Sequence, residues 1–149
     1  MRIIDRFSSE HDVFTTQLQV IETLVRTGAV VASVVAAIRI LAAPLLAHAE
    51  NEERALFPDL APSLGGEGGP LAVLTEEHGV LHGQLDRLTG DPSRPELEQV
   101  LAAFVDLLRR HIEKEEDVLF PAAERLIDGA RLEQLDREIR AVVLAGASR

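Results

Sequence analysis

The residues best suited to chemistry in this sequence are histidines and glutamates at helical spacing. Glu52 follows His48 by four positions, and Glu115 follows His111 by the same step. Residues four apart lie on one face of a helix, so each pair presents a nitrogen and a carboxylate oxygen side by side. Because imidazole and carboxylate bind iron, manganese and zinc, the pattern predicts a metal site. The remaining histidines are His11, His78 and His82.

These side chains lie at the helical spacing at which apolar residues recur, and therefore on the predicted inner face of each helix. A single histidine on such a face is more often a core residue than a ligand. A buried unpaired carboxylate, however, costs on the order of several kcal/mol, so Glu52 and Glu115 require a cation. Other glutamates lie off the inner face and are interpreted as a solvated acidic surface: Glu50, Glu53, Glu113 and Glu116.

An internal repeat joins the two histidine-glutamate pairs. The pattern H-x-E-x-E-E-x-x-L-F-P occurs at 48–58 and again at 111–121. Since the same residue types recur in the same order, the repeat predicts two similar half-sites, one on the second helix and one on the fourth.

The apolar residues recur at steps of three and four in four long segments, which is the period of amphipathic helices. Segments rich in glycine and proline at 61–70 and 89–95 separate helices, as do breaks at 27–28 and 128–129. Short connections between long helices favour an all-α, up-down-up-down four-helix bundle. We expect a single domain over 1–149, with the bundle at about 8–127 and a short C-terminal fifth helix at about 131–144.

Several local features add detail to this bundle. Ser8 or Ser9 is expected to cap the first helix. Pro44 should kink the second helix or mark a restart. Gly79 and Gly83 are interpreted as positions of close helix packing, with ligand access to the site as the alternative. The apolar stripe of the fourth helix is predicted to be Leu97, Leu101, Phe104, Leu108, Val118 and Ala122.

The composition excludes several classes of function. The chain has 149 residues, a formal net charge of −10 and no cysteine, tryptophan or tyrosine, so thiolate ligands and disulfides are excluded, and nucleic acid is not an expected partner. The N-terminus carries no signal-peptide pattern, and a cytoplasmic location is expected. The apolar stretch at 28–47 is long enough for a membrane span, but Arg39 in its middle disfavours lipid. Whether the chain forms a homo-oligomer is left open.

The complete motif resembles that of the hemerythrins and the hemerythrin-like (HHE) cation-binding domains, H…HxxxE…HxxxH…HxxxE. The resemblance covers about residues 8–127 and implies a hemerythrin-like bundle with two iron ions and a bridging oxo or hydroxo group. It implies that His78, His82 and His111 bind one iron and that Glu52 and Glu115 bridge. The other iron would be bound by His11 and His48.

With that ligand set, the iron bound by three histidines has all its coordination positions filled. The iron bound by His11 and His48 has one ligand fewer, which leaves one position open. Dioxygen, peroxide or another small ligand would bind there, in a pocket that Phe14 should keep apolar. Manganese or zinc would suit the same ligands.

Three functions remain open. The first is binding of dioxygen for carriage, storage or sensing. The second is a di-iron enzyme that decomposes hydrogen peroxide or reduces nitric oxide in oxidative or nitrosative stress defence, so the enzyme assignment is undecided. The third is a metal-storage or structural bundle, although the Glu-x-x-His motif of ferritin-like sites is absent from the sequence.

Overall fold

The computed structural model describes residues 1–147 and shows an all-α bundle, as predicted, with no strand in that range. Four long helical rods form the bundle, and a fifth helix packs on it. The elements are α1 (Ile3–Arg26), α2 (Val31–Asn51), a π-helical turn (Glu52–Leu56), α3 (Phe57–Leu64), α4 (Pro70–Thr89), α5 (Arg94–Lys114), a second π-helical turn (Glu115–Leu119), α6 (Phe120–Leu126) and α7 (Gly129–Ala147).

The bundle is built from two similar halves. The buried positions of α1 recur in α4, so that Phe7, His11 and Leu18 correspond to Leu74, His78 and Leu85. The second rod, from α2 to α3, corresponds in the same way to the fourth, from α5 to α6. The corresponding buried pairs include Val34 and Leu97, Ile38 and Leu101, Leu45 and Leu108, Leu56 and Leu119, and Leu60 and Ala123.

Two apolar clusters form the core of the bundle. One surrounds Leu18, Leu41 and Phe104, and the other surrounds Phe7 and Leu56. The buried histidines and glutamates lie on the same helical faces, between the positions that belong to each cluster. The core therefore consists of two apolar ends and a polar layer between them.

Each π-helical turn begins at the glutamate of an HxxxE pair and ends one residue before Phe-Pro. Proline cannot donate a backbone hydrogen bond, and its ring crowds the carbonyl four residues earlier. For Pro58 and Pro121 that carbonyl belongs to the widened turn. Insertions of this kind often occur at functional sites.

The second π-helical turn corrects the prediction that Val118 is a core residue. An extra residue in the turn rotates the positions that follow it, so Leu119 is buried at 2% exposure and Val118 is 61% exposed. Sequence periodicity assumes a constant α-helix and therefore placed the wrong residue inside.

The first helix starts earlier than expected. It begins at Ile3, where Asp5 Oδ2 accepts a hydrogen bond from the backbone N–H of Arg2 at 3.1 Å. Ser8 and Ser9 are not caps. Ser9 Oγ instead donates to the Asp5 carbonyl at 2.9 Å.

Pro44 does not interrupt its helix, so the predicted kink there remains a prediction, and the two glycines of α4 differ from expectation. Helix α2 continues through Pro44, which is exposed, so no restart occurs there. A Cβ atom added to Gly79 or Gly83 would meet nothing within 4 Å. Close helix packing therefore does not explain either glycine.

One helix within residues 1–147 is long and apolar enough to cross a membrane by length and composition alone, from Val31 to Leu64. Core helices of soluble proteins pass the same test. Its inner face buries Val34 and Ile38 in the bundle, and Arg39 on its outer face donates to the Thr89 carbonyl at 3.0 Å. The prediction that this helix does not enter a membrane remains a prediction.

Helix α7 packs across α1 and the first π-helical turn. Leu132, Leu135 and Ile139 are buried against the apolar cluster of Phe7 and Leu56. Asp136 is fully buried, and its Oδ1 accepts a hydrogen bond from Arg6 Nε at 2.5 Å. Arg140 Nη2 lies 3.0 Å from Oδ2 of the same carboxylate. A buried ion pair therefore fixes α7 on α1.

Replacing Asp136 by alanine should lower the free energy of unfolding by about 1–3 kcal/mol. Loss of one partner of a buried pair costs about 3–5 kcal/mol, and the 27% exposure of the Arg6 side chain reduces that cost. Urea denaturation would measure the change. Glu133→Ala on the exposed face of α7 is the matched control, and a similar loss in that variant would contradict the role of the buried pair.

Candidate metal centre

The structure brings six of the seven predicted ligands together in the polar layer. His11 comes from α1, His78 from α4, and each HxxxE pair spans the end of an α-helix and the start of a π-helical turn. All six are at most 7% exposed, and both glutamates are fully buried: His11, His48, Glu52, His78, His111 and Glu115.

Each glutamate directs one oxygen to each half of the site. Glu52 Oε1 lies 3.4 Å from His48 Nε2, and its Oε2 lies 3.3 Å from His78 Nε2. Glu115 Oε2 lies 3.1 Å from His11 Nε2, and its Oε1 lies 2.9 Å from His111 Nε2. Both carboxylates therefore span the two histidine pairs, as bridging ligands do.

This arrangement fits a pair of cations. Although histidine nitrogens lie close to all four oxygens, none of the oxygens makes a hydrogen bond of normal geometry. Buried carboxylate oxygens without partners are costly, and a metal ion would satisfy them. One set of four ligand atoms comes from His11, His48 and the two glutamates, the other from His78, His111 and the same glutamates, and within each set the atoms lie within 4.8 Å of one another.

His82 is not brought to this cluster, and its assignment as a ligand remains a prediction. Its side chain is 58% exposed and lies 4.0 Å from Asp86. The buried stripe of α4 continues from His78 to Leu81 and Leu85. The residue four positions after His78 therefore lies outside the inner face of the helix. In this structure each half-site therefore offers two histidines, one fewer than the resemblance implied for the half that contains His78 and His111.

Four further glutamates, here called the outer carboxylates, form hydrogen bonds with the ring nitrogens that face away from the site. The Nδ1 atom of each ligand histidine donates to a glutamate oxygen at 2.6–2.7 Å. A carboxylate only accepts, so the proton is on Nδ1 and Nε2 faces the site. The pairs are His11 with Glu116, His48 with Glu10, His78 with Glu53, and His111 with Glu77.

This finding corrects the interpretation of Glu53 and Glu116 as a solvated acidic surface. It also adds Glu10 and Glu77, which sequence reasoning missed. A signal was present, because each outer glutamate adjoins an inner ligand in the chain: Glu10 precedes His11, Glu77 precedes His78, and Glu53 and Glu116 follow the bridging glutamates. Neighbouring residues point in different directions, so the partner of each lies on another helix.

Removing an outer carboxylate should weaken metal binding without removing a ligand. For Glu10→Gln and Glu53→Gln we expect a 10- to 100-fold loss of affinity, about the size seen when such partners of metal-bound histidines are replaced. Competition with a chromophoric chelator would measure it. Glu50→Gln is the control because the Glu50 side chain is 72% exposed, and an equal loss in that variant would contradict a specific role.

The two halves differ in what surrounds the outer carboxylates. Lys114 Nζ forms an ion pair with Glu77, and Ser8 Oγ donates to Glu116 Oε2 at 2.9 Å. The Lys114 charge, with His111, keeps the pKa of Glu77 below its usual range, although burial acts in the opposite direction.

Burial and the carboxylates have opposite effects on the histidines. Burial alone would lower the pKa of His48, but the charge of Glu52 and the hydrogen bond with Glu10 outweigh it and raise the pKa to about 10. The pKa of His111 is raised in the same way by Glu115 and Glu77. Burial would raise the pKa of Glu52, but His48 and His78 lower it below its usual range.

Metal binding should therefore release protons. His48, with a pKa of about 10, carries a proton on Nε2 at pH 8 and must lose it to bind a metal. We expect at least one proton released per chain, with metal affinity rising with pH up to about 10. An indicator dye in weakly buffered solution would measure the release. Affinity independent of pH between 7 and 9 would contradict this expectation.

A small enclosed cavity adjoins the site. It measures about 10 Å³, is lined by all four ligand histidines, and is closed by apolar side chains that include Phe14, Leu45, Leu81 and Leu108. Phe14 thus lines a cavity beside the site, where the sequence predicted an apolar wall. The volume suits a molecule of about the size of one water.

These features define a helical-bundle protein with a buried cation site of histidine and carboxylate ligands. The chain belongs to the hemerythrin HHE cation binding domain family, whose model matches residues 2–142. The resemblance drawn from the HxxxE pattern is thereby confirmed.

Two curated relatives match part of the chain. An iron-sulfur cluster repair protein, YtfE of Dickeya chrysanthemi, is 37% identical over 93 residues, which cover 54% of this chain and 42% of that protein. A DNA nickase of Nostoc sp. is 32% identical over 98 residues, which cover 65% of this chain and 27% of that protein. The chain thus spans less than half the length of either relative. No solved structure gives a significant match.

Proposed function

We propose that the chain holds two iron ions bridged by Glu52 and Glu115 and binds a small ligand, such as dioxygen, beside them. The observation that carries this proposal is the position of the four bridging oxygens, each buried without a hydrogen bond and each close to a different histidine nitrogen.

The number of protein ligands supports ligand binding. Two histidines and two carboxylate oxygens in each half would leave positions free on an ion that takes six ligands. Histidine-carboxylate sites with free positions are typical of non-heme iron that reacts with oxygen. Both ions, and not the His11/His48 ion alone, would then offer a position for the ligand.

The protein's own residues would control access and polarity. Phe14, Leu45 and Leu108 line the cavity and would exclude water from a bound small molecule. The outer glutamates would hold each imidazole in the orientation that presents Nε2. Iron would supply the electrons that bind or reduce the small ligand.

A second candidate function is consumption of nitric oxide or peroxide in stress defence. The name of the Dickeya relative, an iron-sulfur cluster repair protein, favours this alternative. Two similar half-sites facing one cavity would also allow a small molecule to contact both ions.

Anaerobic reconstitution with ferrous iron tests the proposal. We expect two iron ions per folded chain by elemental analysis and a new absorption band on exposure to dioxygen. A band that disappears on removal of the gas supports reversible binding. Sustained loss of added peroxide, or of nitric oxide when an external electron donor is supplied, supports the enzyme. A folded chain that retains no iron would end the proposal.

A further inference from the structure

The internal two-fold relation of the bundle predicts two equivalent surface grooves. The first lies between α1 and the rod formed by the first π-helical turn and α3, and α7 fills it. The second lies between α4 and the rod formed by the second π-helical turn and α6. Nothing among residues 1–147 fills this second groove in the way that α7 fills the first.

The open groove has a volume of about 480 Å³. Val73 and Val118 in its wall are 38% and 61% exposed. Leu64, Pro70 and Leu74 also line it. The two exposed valines give the groove an apolar wall that a partner could cover.

The residues that differ between the grooves make the open one more apolar. Arg6, which binds Asp136 of α7, corresponds to Val73, and Asp59 corresponds to Ala122. Asp59 accepts two hydrogen bonds from Arg131 of α7, at 2.7 and 3.0 Å. The polar contacts that anchor α7 are therefore replaced by apolar side chains at the equivalent positions.

Two cations lie at the rim of the open groove, Lys114 and Arg125. Arg125 makes no ion pair or side-chain hydrogen bond within the described part of the chain. An unpaired cation beside an apolar groove attracts a carboxylate of a partner at that point.

We propose that this groove binds an amphipathic α-helix of a partner protein, with apolar residues at steps of three and four and a carboxylate facing Arg125. Helix α7 shows the shape of the occupant, because Leu132, Leu135 and Ile139 fill the equivalent groove at that spacing. Recognition of a helix in a groove by such apolar positions is a common mode of binding.

A peptide with the sequence of α7 is the probe. In the open groove Arg131 and Asp136 would face Ala122 and Val73, so they would lose their partners. A fluorescent peptide of residues 129–147 with Arg131→Glu and Asp136→Leu should therefore bind the full chain more tightly than the unchanged peptide. Fluorescence anisotropy would measure affinity, and amide NMR shifts would locate the site.

Two variants of the full chain test the location. Val118→Asp places a charge in the apolar wall and should weaken binding of the altered peptide more than tenfold. Arg125→Glu, at an exposed position, should weaken it about threefold or more. Val20→Asp is the matched control, because Val20 is 53% exposed and lies outside the groove, and its affinity should equal that of the parent.

The proposal is overturned if the altered peptide does not bind, if Val118→Asp and Arg125→Glu bind it as the parent does, or if the shifted amides belong to α1. It is also overturned if sedimentation equilibrium shows a dimer of the chain that Val118→Asp dissociates, since a second copy would then be the occupant. Peptide binding can be measured with or without iron, so failure of the proposed metal function would not affect this test.

Discussion

Replacing Glu52 or Glu115 by glutamine should abolish stable binding of both metal ions. Each carboxylate offers an oxygen to both halves of the site, so one substitution removes a ligand from each ion. Removing a positioning partner costs about 10- to 100-fold in affinity, and we expect loss of a shared ligand to exceed that range. Iron per folded chain should fall from two to well below one.

Elemental analysis after gel filtration would measure this loss, with circular dichroism to confirm the helical fold. Glu113→Gln is the matched control, because Glu113 lies in the same repeat but is exposed. If Glu52→Gln retained two ions, the carboxylate would not be a bridge, whatever its position in the structure.

The pair His78→Gln and His82→Gln should give opposite results. His78 Nε2 lies 3.3 Å from a bridging oxygen, whereas the His82 side chain is 58% exposed. We expect His78→Gln to lose at least one ion per chain and His82→Gln to keep both. Iron content and the optical spectrum of the two reconstituted variants would decide between them.

Equal loss in both variants would show that α4 rotates or distorts when metal binds, so that His82 reaches the site. Loss in His82→Gln alone would contradict the inner position of His78. The same pair of variants thus also tests the symmetric ligand set against the set with three histidines on one ion.

The bundle could be predicted from the sequence because long amphipathic segments and short connections leave few alternatives. Six of the ligands were predictable for the same reason, since His48 and Glu52 share a helical face whatever the rest of the chain does. The sequence placed His82 on the inner face beside Leu81, whereas in the structure the buried stripe passes through Leu81 and leaves His82 outside the cluster.

Other features depend on departures from regular geometry or on contacts between helices. The exposure of Val118 follows from the π-helical turn, which no periodic analysis includes. The outer carboxylates depend on which helices are neighbours: Glu53 follows Glu52 but binds His78 across the bundle. Both depend on the three-dimensional arrangement of the helices.

Two of the outer carboxylates bind histidines of the opposite half of the bundle, and this affects how the site would take up metal. Glu53 belongs to the second rod and holds a histidine of the third, while Glu116 belongs to the fourth rod and holds a histidine of the first. Each half-site thus contains a histidine that is held by a glutamate of the opposite half. An ion bound in one half-site should therefore help to orient the ligands of the other. Loading should therefore be cooperative, with chains that contain a single ion rare at partial saturation.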